Sequence, residues 1–219
     1  MASILSLNQQ NILDIISKEK NICNGFYLTG GTALAEFYLH HRVSEDLDFF
    51  SEEEFDPQAI SVFFKKIKGK AGIKEISYEQ SFNRNLYFLE LENDNIKTEF
   101  TYFPFPRIEI KKKIGELNID SLMDIAVNKL FTIYQKPRSR DFIDLFCILR
   151  KEKEWGVDYL AKQAQIKFDH YINPLQLGAQ FTKAEELKDY PKMITGVKES
   201  DWQSFFITKA KELASREIS

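Results

Sequence analysis

Cysteine is scarce. Only Cys23 and Cys147 occur in 219 residues, too few for a disulfide framework, and neither belongs to a CxxC pair, which speaks against dithiol redox chemistry and structural zinc. The expected compartment is reducing. The three histidines include the adjacent His40-His41 but form no zinc set, and a cation capping the end of a helix is the reading they take. No Ser/His/Asp grouping stands out for nucleophilic catalysis. With 9 Gly and 6 Pro, the chain is neither collagenous nor of low complexity. No stretch offers the ~18 uncharged apolar residues that a membrane span needs, and the segment from Met1 to Ser17 lacks the basic flank and apolar core of a secretory leader. These absences lead to the expectation of a soluble cytoplasmic protein with no membrane partner. No repeat at a period of about 20 to 50 residues is visible.

What is present is the composition of a folded protein: 43% hydrophobic and 14% aromatic residues, with 19 Phe. A chain of this size buries roughly 70% of its unfolded surface, enough for one domain or two small ones. The net charge of −3 conceals an asymmetry, since residues 1–110 carry 11 basic and 17 acidic side chains and residues 111–219 carry 19 and 16. Between Glu36 and Asp56 eight carboxylates face the single base Arg42. Such a run is either a solvated face or a site that cations neutralise.

Hydrophobic periodicity predicts a helix over Leu7–Lys20, a short buried strand at Phe26–Leu28, a helix over Thr32–His40 and a strand over Asp46–Phe50. An amphipathic helix follows at Gln58–Lys68. Three strands are expected at Ile73–Tyr78, Asn85–Leu91 and Ile96–Phe103, with a turn at Asn93–Asn95. From Asp120 the pattern becomes helical, over Ser121–Gln135, Ser139–Lys151, Val157–Phe168 and Asp201–Ala214. The fold class is therefore α+β, a mixed sheet domain over 1–115 followed by a helical domain over 116–219, with the link at Lys111–Asp120. Packed halves would leave a ligand cleft between them.

Two short motifs carry chemistry. In Asp46-Leu47-Asp48-Phe49-Phe50, a strand period of two puts both aspartates on one face and Leu47 and Phe49 on the buried one. Paired carboxylates so placed suit a magnesium ion, which takes one or two of them together with substrate phosphates. Gly30-Gly31-Thr32 lies between a strand and a helix, where unpaired N–H groups attract anions and glycine admits a phosphate to the main chain. The plain alternative is a turn with Thr32 as N-cap. The loop is neither a Walker A motif nor GxGxxG.

The run from Leu28 through Gly30-Gly31-Thr32, continuing from Arg42 through Ser44-Glu45-Asp46-Leu47-Asp48 to Phe50, resembles the signature of the AbiEii/AbiGii-type toxin family within the DNA polymerase β-like nucleotidyltransferases. Downstream, Asp124 to Leu130, which contains Lys129, and Arg138-Ser-Arg-Asp-Phe-Ile-Asp-Leu145 resemble that family's lysine helix and RDFxDL segment. The resemblance implies a magnesium-dependent nucleotidyltransferase, with Mn2+ as an alternative ion, that moves NMP from an NTP to an acceptor hydroxyl. Asp46 and Asp48 would hold metal, with Glu99 as third carboxylate; a solvated edge-strand Glu99 is the alternative. Gly30, Gly31 and Thr32 would bind the nucleotide. Lys129 falls inside the apolar arc of its helix, where it either snorkels to solvent or neutralises nucleotide phosphate.

By the same resemblance Asp141 belongs to the active site, although it could equally complement a helix N-terminus. Asp144, one turn on in a helix crowded with apolar residues, wants a basic or nucleotide partner. Arg42 and Ser44 would contact phosphate or position the loop, with an ion pair from Arg42 to Asp48 or Glu45 as the structural alternative. The resemblance further implies a toxin of a toxin–antitoxin or phage-defence system, a cognate antitoxin, and RNA, tRNA in particular, as acceptor. The basic clusters Lys65-Lys66-Lys68-Lys70, Lys111-Lys112-Lys113 and Lys136-Arg138-Arg140 either track RNA or are solvated faces. A catalytically silent nucleotide-binding module and a small-molecule nucleotidyltransferase are the competing functions.

Overall fold

The computed structural model describes residues 3–110 and 112–218; Lys111, part of the expected link and of one basic cluster, lies outside them. The chain divides into two compact units. The first comprises Met1–Tyr38 and Ser44–Ser121, the second Leu39–Val43 and Leu122–Ser219. The short excursion at 39–43, between the glycine turn and the aspartate strand, thus belongs to the second unit.

The first unit is built on a seven-stranded mixed sheet. In chain order its elements are α1 (Leu7–Ile16), α2 (Lys20–Gly25), β1 (Tyr27–Thr29), α3 (Gly30–Leu34), β2 (Leu47–Ser51), α4 (Pro57–Ile67), β3 (Glu75–Ser81), β4 (Arg84–Glu90), β5 (Asn95–Tyr102), β6 (Lys112–Ile114) and β7 (Leu117–Ile119). A π-helical turn, Ala35–Leu39, continues α3. The strand order is β3-β4-β5-β2-β1-β7-β6. β2 runs parallel to β5, β1 runs parallel to β7, and the other neighbours are antiparallel.

Alternation sets the two faces of this sheet. Leu47, Phe49 and Phe100 are fully buried, and Phe49 and Phe100 stack at 4.9 Å between centroids. The apolar face of α4, through Phe64, covers Tyr87 and Phe100. Asp56 caps α4 by accepting from the Gln58 amide at 2.9 Å, and Pro57 at the first helical position fits the helix start. The opposite face carries Asp48, with Glu99 beside it in register on β5. At one edge, β3 is almost wholly exposed and bears Glu75 and Glu79.

The second unit is helical: α5 (Leu122–Gln135), α6 (Ser139–Lys151), α7 (Val157–Phe168), α8 (Pro174–Thr182) and α9 (Glu199–Ile218), with a 3-10 turn at Lys183–Glu185. Its core is aromatic. Phe142 of α6 lies against Trp202 and Phe206 of α9 at 6.1 and 4.8 Å, and Phe131 stacks on Phe168 at 3.9 Å.

The expected α+β class holds. Within it, the segment read as a link is the β6–β7 hairpin, which joins the sheet beside β1. Helix α3 starts at Gly30 with Thr29 as its N-cap residue, so Thr32 is not the cap.

Candidate active site

Gly30 has φ +73°, a left-handed backbone that disfavours any side chain. A Cβ at this position would also collide with Asp48 Oδ2. The glycine turn and the second aspartate are therefore in direct proximity, as expected, and only glycine permits it. Thr29, just before the turn, pairs in register with Asp48 across β1 and β2, and its hydroxyl donates to Asp120 at 2.5 Å.

Asp46 and Asp48 are both half-buried and lie two residues apart at the entry of β2. The Lys97 ammonium sits 2.9 Å from Asp46 Oδ2. Thr32 is fully buried rather than presented to a phosphate. Its hydroxyl donates to the Asp46 carbonyl oxygen and lies 2.8 Å from Ser44 Oγ. Thr32 and Ser44 thereby tie the aspartate strand to the glycine turn. Their side chains hold the loop in place, the alternative weighed for Ser44.

Glu99 is buried between β2 and β4, not on a solvated edge. The Arg84 guanidinium forks onto it, Nε to Oε1 at 2.7 Å and Nη2 to Oε2 at 2.5 Å, and Thr101 donates to Oε1 at 2.8 Å. Burial pushes the Glu99 carboxyl up, but the hydrogen bonds from Arg84 and Thr101 outweigh it and hold the group below its ordinary value. Both oxygens are thus engaged. Among the described residues no three His, Cys, Asp or Glu side chains gather closely enough to hold one metal ion. Asp46 and Asp48, beside a glycine that leaves the main chain bare, fit the one or two carboxylates that a magnesium ion asks of a protein; Glu99, engaged by Arg84 and Thr101, keeps one acceptor site.

The remaining expected residues lie together in the second unit. Asp144 on α6 is fully buried and collects four contacts. Arg42 donates from Nε to Oδ1 at 2.7 Å and from Nη2 to Oδ2 at 2.9 Å, His41 Nε2 lies 2.8 Å from Oδ1, and the Lys129 ammonium lies 2.7 Å from Oδ2. Lys129, on α5, also reaches Asp141 Oδ1 at 2.7 Å, and Arg138 Nε lies 3.2 Å from Asp141 Oδ2. Burial opposes ionisation of both aspartates. At Asp144 the charges of Lys129 and Arg42 win, holding its carboxyl well below the usual range, and at Asp141 those of Lys129 and Arg138 do the same more weakly.

Three of the expected residues meet in this cluster. Arg42 is buried with its guanidinium on Asp144 and on the Val43 carbonyl, an ion pair other than those to Asp48 or Glu45 considered from the sequence. Asp141 is also buried, with Lys129 on one carboxylate oxygen and Arg138 on the other. Lys129 is only 8% exposed, so it is paired inside the unit rather than snorkelling. Sequence reasoning missed His41, which binds Asp144 where helix capping had been expected. It missed Arg84 too; the alternation of β4, which puts Arg84 on the face opposite buried Asn85 and Tyr87, was the available signal. Both cysteines are free, and burial raises Cys23 and pushes the Cys147 thiol up to about 12.

Residues 16–215 match the model of a family described as the nucleotidyl transferase AbiEii toxin of a type IV toxin–antitoxin system. Uncharacterized protein aq_aa25 of Aquifex aeolicus (strain VF5) is 35% identical over 151 residues, covering 67% of this chain and 68% of that protein. Two solved structures share the fold. One, a "putative nucleotidyltransferase from H. pylori", has a TM-score of 0.61 at 19% identity and covers 97% of both chains. The other, JHP933 from Helicobacter pylori, has a TM-score of 0.57 at 18% identity over 95% of this chain and 91% of that one.

Proposed function

We propose, from the premise that this chain belongs to the nucleotidyltransferase AbiEii toxin family, that it transfers NMP from an NTP to an RNA acceptor, tRNA foremost, in a divalent-metal-dependent reaction. The observation that carries the reading is the approach of Asp48 to Gly30, which leaves no room for a Cβ: an anion-binding turn and a carboxylate stand side by side. The Gly30 and Gly31 backbone would receive phosphate oxygens. Asp46 and Asp48 would hold the ion, Mg2+ or alternatively Mn2+, which when bound supplies Lewis-acid stabilisation of the phosphoryl oxygens and favours ionisation of the acceptor hydroxyl. Lys97 neutralises Asp46 in the meantime and must yield it. Lys129 is assigned to nucleotide phosphate. The biological setting proposed is the family's, a toxin restrained by a cognate antitoxin, with defence against phage as its use.

A second reading is favoured by the Arg84–Glu99 fork, which occupies the acid expected to complete the metal set: a module that binds nucleotide without turnover. One assay separates the two. The protein is incubated with each α-labelled NTP, Mg2+ and either total RNA or cell lysate, beside Asp48→Asn. Label on RNA that Asp48→Asn abolishes supports transfer; NTP binding without product from the native chain supports the silent module; label on a small molecule instead assigns an antibiotic-type acceptor.

A further inference from the structure

Gly30 tolerates its left-handed backbone and the close approach of Asp48, but a glycine permits such a geometry without enforcing it. The restraint comes from the first unit's own sheet. Asp120 lies just past β7, whose Ile119 is in register with Leu28 of β1, so Asp120 stands level with Thr29, and Thr29 in turn pairs with Asp48. The three residues form one row across neighbouring strands. Asp120 is fully buried. Its N–H donates to the Leu28 carbonyl at 2.8 Å, its carboxylate accepts from the Thr29 hydroxyl at 2.5 Å, and its carbonyl oxygen accepts from the Tyr38 hydroxyl at 2.8 Å.

Thr29 immediately precedes Gly30, and Tyr38 lies in the π-helical turn that continues α3. One residue therefore holds the glycine helix at both ends. Lys112, on the other strand of the β6–β7 hairpin, adds a further hold: its ammonium donates to the Phe37 carbonyl at 2.9 Å and lies over the Phe37 and Tyr38 rings at 5.3 and 5.0 Å. The two backbone bonds of Asp120 ask only for a residue with an N–H and a carbonyl. What its side chain adds is the grip on Thr29. A carboxylate withdrawn from water is costly, and a position filled for packing alone would take an apolar group.

We propose that Asp120 is a positioning residue of the nucleotide site: acting through Thr29, it sets the Gly30 and Gly31 backbone against Asp48 before any nucleotide arrives. That this backbone receives phosphate rests on the transfer reading above; the hold of Asp120 on the turn does not. The test pairs a ligand-free measurement with a binding one. The native chain, Thr29→Val, Thr29→Ser, Asp120→Asn and the control Thr98→Val, which removes a buried hydroxyl from the other face of the same sheet, are compared by amide hydrogen exchange and by calorimetric titration with each NTP and Mg2+. The reporter amide is that of Ala35, which donates to the Gly31 carbonyl. In Thr29→Val and Asp120→Asn it is expected to exchange about tenfold faster, the weight of one hydrogen bond to a charged group, while the amides of β4 and β5 hold their rates. NTP binding should weaken about tenfold in the same two variants. The double variant should bind no more weakly than the weaker single one, because both remove the same bond. Thr29→Ser, which keeps the hydroxyl, should restore both readouts, and Thr98→Val should leave both unchanged.

An unaltered Ala35 rate in Thr29→Val overturns the proposal, as does faster exchange shared equally by β4 and β5, which would mark a general loss of stability. Should Asp120→Asn not fold, Thr29→Val decides by itself. Undiminished NTP affinity in Thr29→Val, from a native chain that binds NTP, overturns the positioning role and leaves the transfer reading standing. Local loosening at Ala35 in a native chain background that binds no nucleotide supports the hold of Asp120 on the turn and sinks the transfer reading instead.

Discussion

At the scale of single residues, Gly30 and Asp144 make the sharpest demands. Gly30→Ala would force a Cβ into a left-handed backbone, costing ~1–2 kcal/mol, and would push the Asp48 carboxylate aside. Transfer by this variant is expected to drop about 10²- to 10³-fold, comparable to losing one electrostatic contact to a transition state, as read by single-turnover kinetics. Asp144→Ala would take the carboxylate from the buried Arg42 guanidinium and leave Lys129 with Asp141, and is expected to destabilise the protein by about 3–5 kcal/mol in urea titrations. Because Asp144 is held well below its ordinary value of 3.8, the unfolded chain takes up its proton first as pH falls. Its contribution is complete above about pH 4 and is lost below that toward its depressed folded value. A urea series from pH 6 to about pH 3 should show a steeper acid loss for the native chain than for Asp144→Asn. The strand period placed Asp46 and Asp48 on one face and the helix period placed Lys129 inside an apolar arc, whereas Asp141 rested on the family resemblance. Arg42 was legible as a charge but not as a partner, since Asp144 lies 102 positions away and no local pattern encodes that pairing.

Among the elements, those with a strong period were read within a few residues: α4, β4, β5, α5 and α6. β6 and β7 escaped because their three-residue stretches, unlike the wholly buried β1, mix polar with apolar residues, and they were absorbed into a link. α8 escaped despite a signal, Asn173 capping the Gln176 amide at 3.0 Å and Pro174 at the first helical position, the pairing that commonly opens a helix. The pairing of β4 with β5 has a titration consequence. Arg84 of β4 depresses Glu99 of β5, so Arg84→Gln should move the Glu99 carboxyl upward in a carbon-detected NMR pH series, and an unmoved resonance would contradict the fork. The seating of α9 is equally testable. Trp202 is almost fully buried against Phe142, and Trp202→Ala should cost about 3–5 kcal/mol, the range for large-to-small aromatic truncations.

For the whole molecule, the division of charge matters more than its total. The acidic run from Glu36 to Asp56 includes the two aspartates proposed to hold metal, and chelation of divalent ions is expected to stop transfer, with added Mg2+ restoring it. No helix among the described residues is long and apolar enough to cross a membrane. The two units also explain where sequence reasoning stopped. Each unit's elements follow from local pattern, but assigning 39–43 to the helical unit depends on pairings such as that of Arg42 with Met193, which the linear order hides. The outermost strand β3 has a colloidal consequence. Its unpaired main chain is a template for adding foreign strands, and Glu75 and Glu79 fringe it with like charge that repels a second copy. Replacing both by Thr should turn a monodisperse preparation into one that forms thioflavin-positive fibrils on storage.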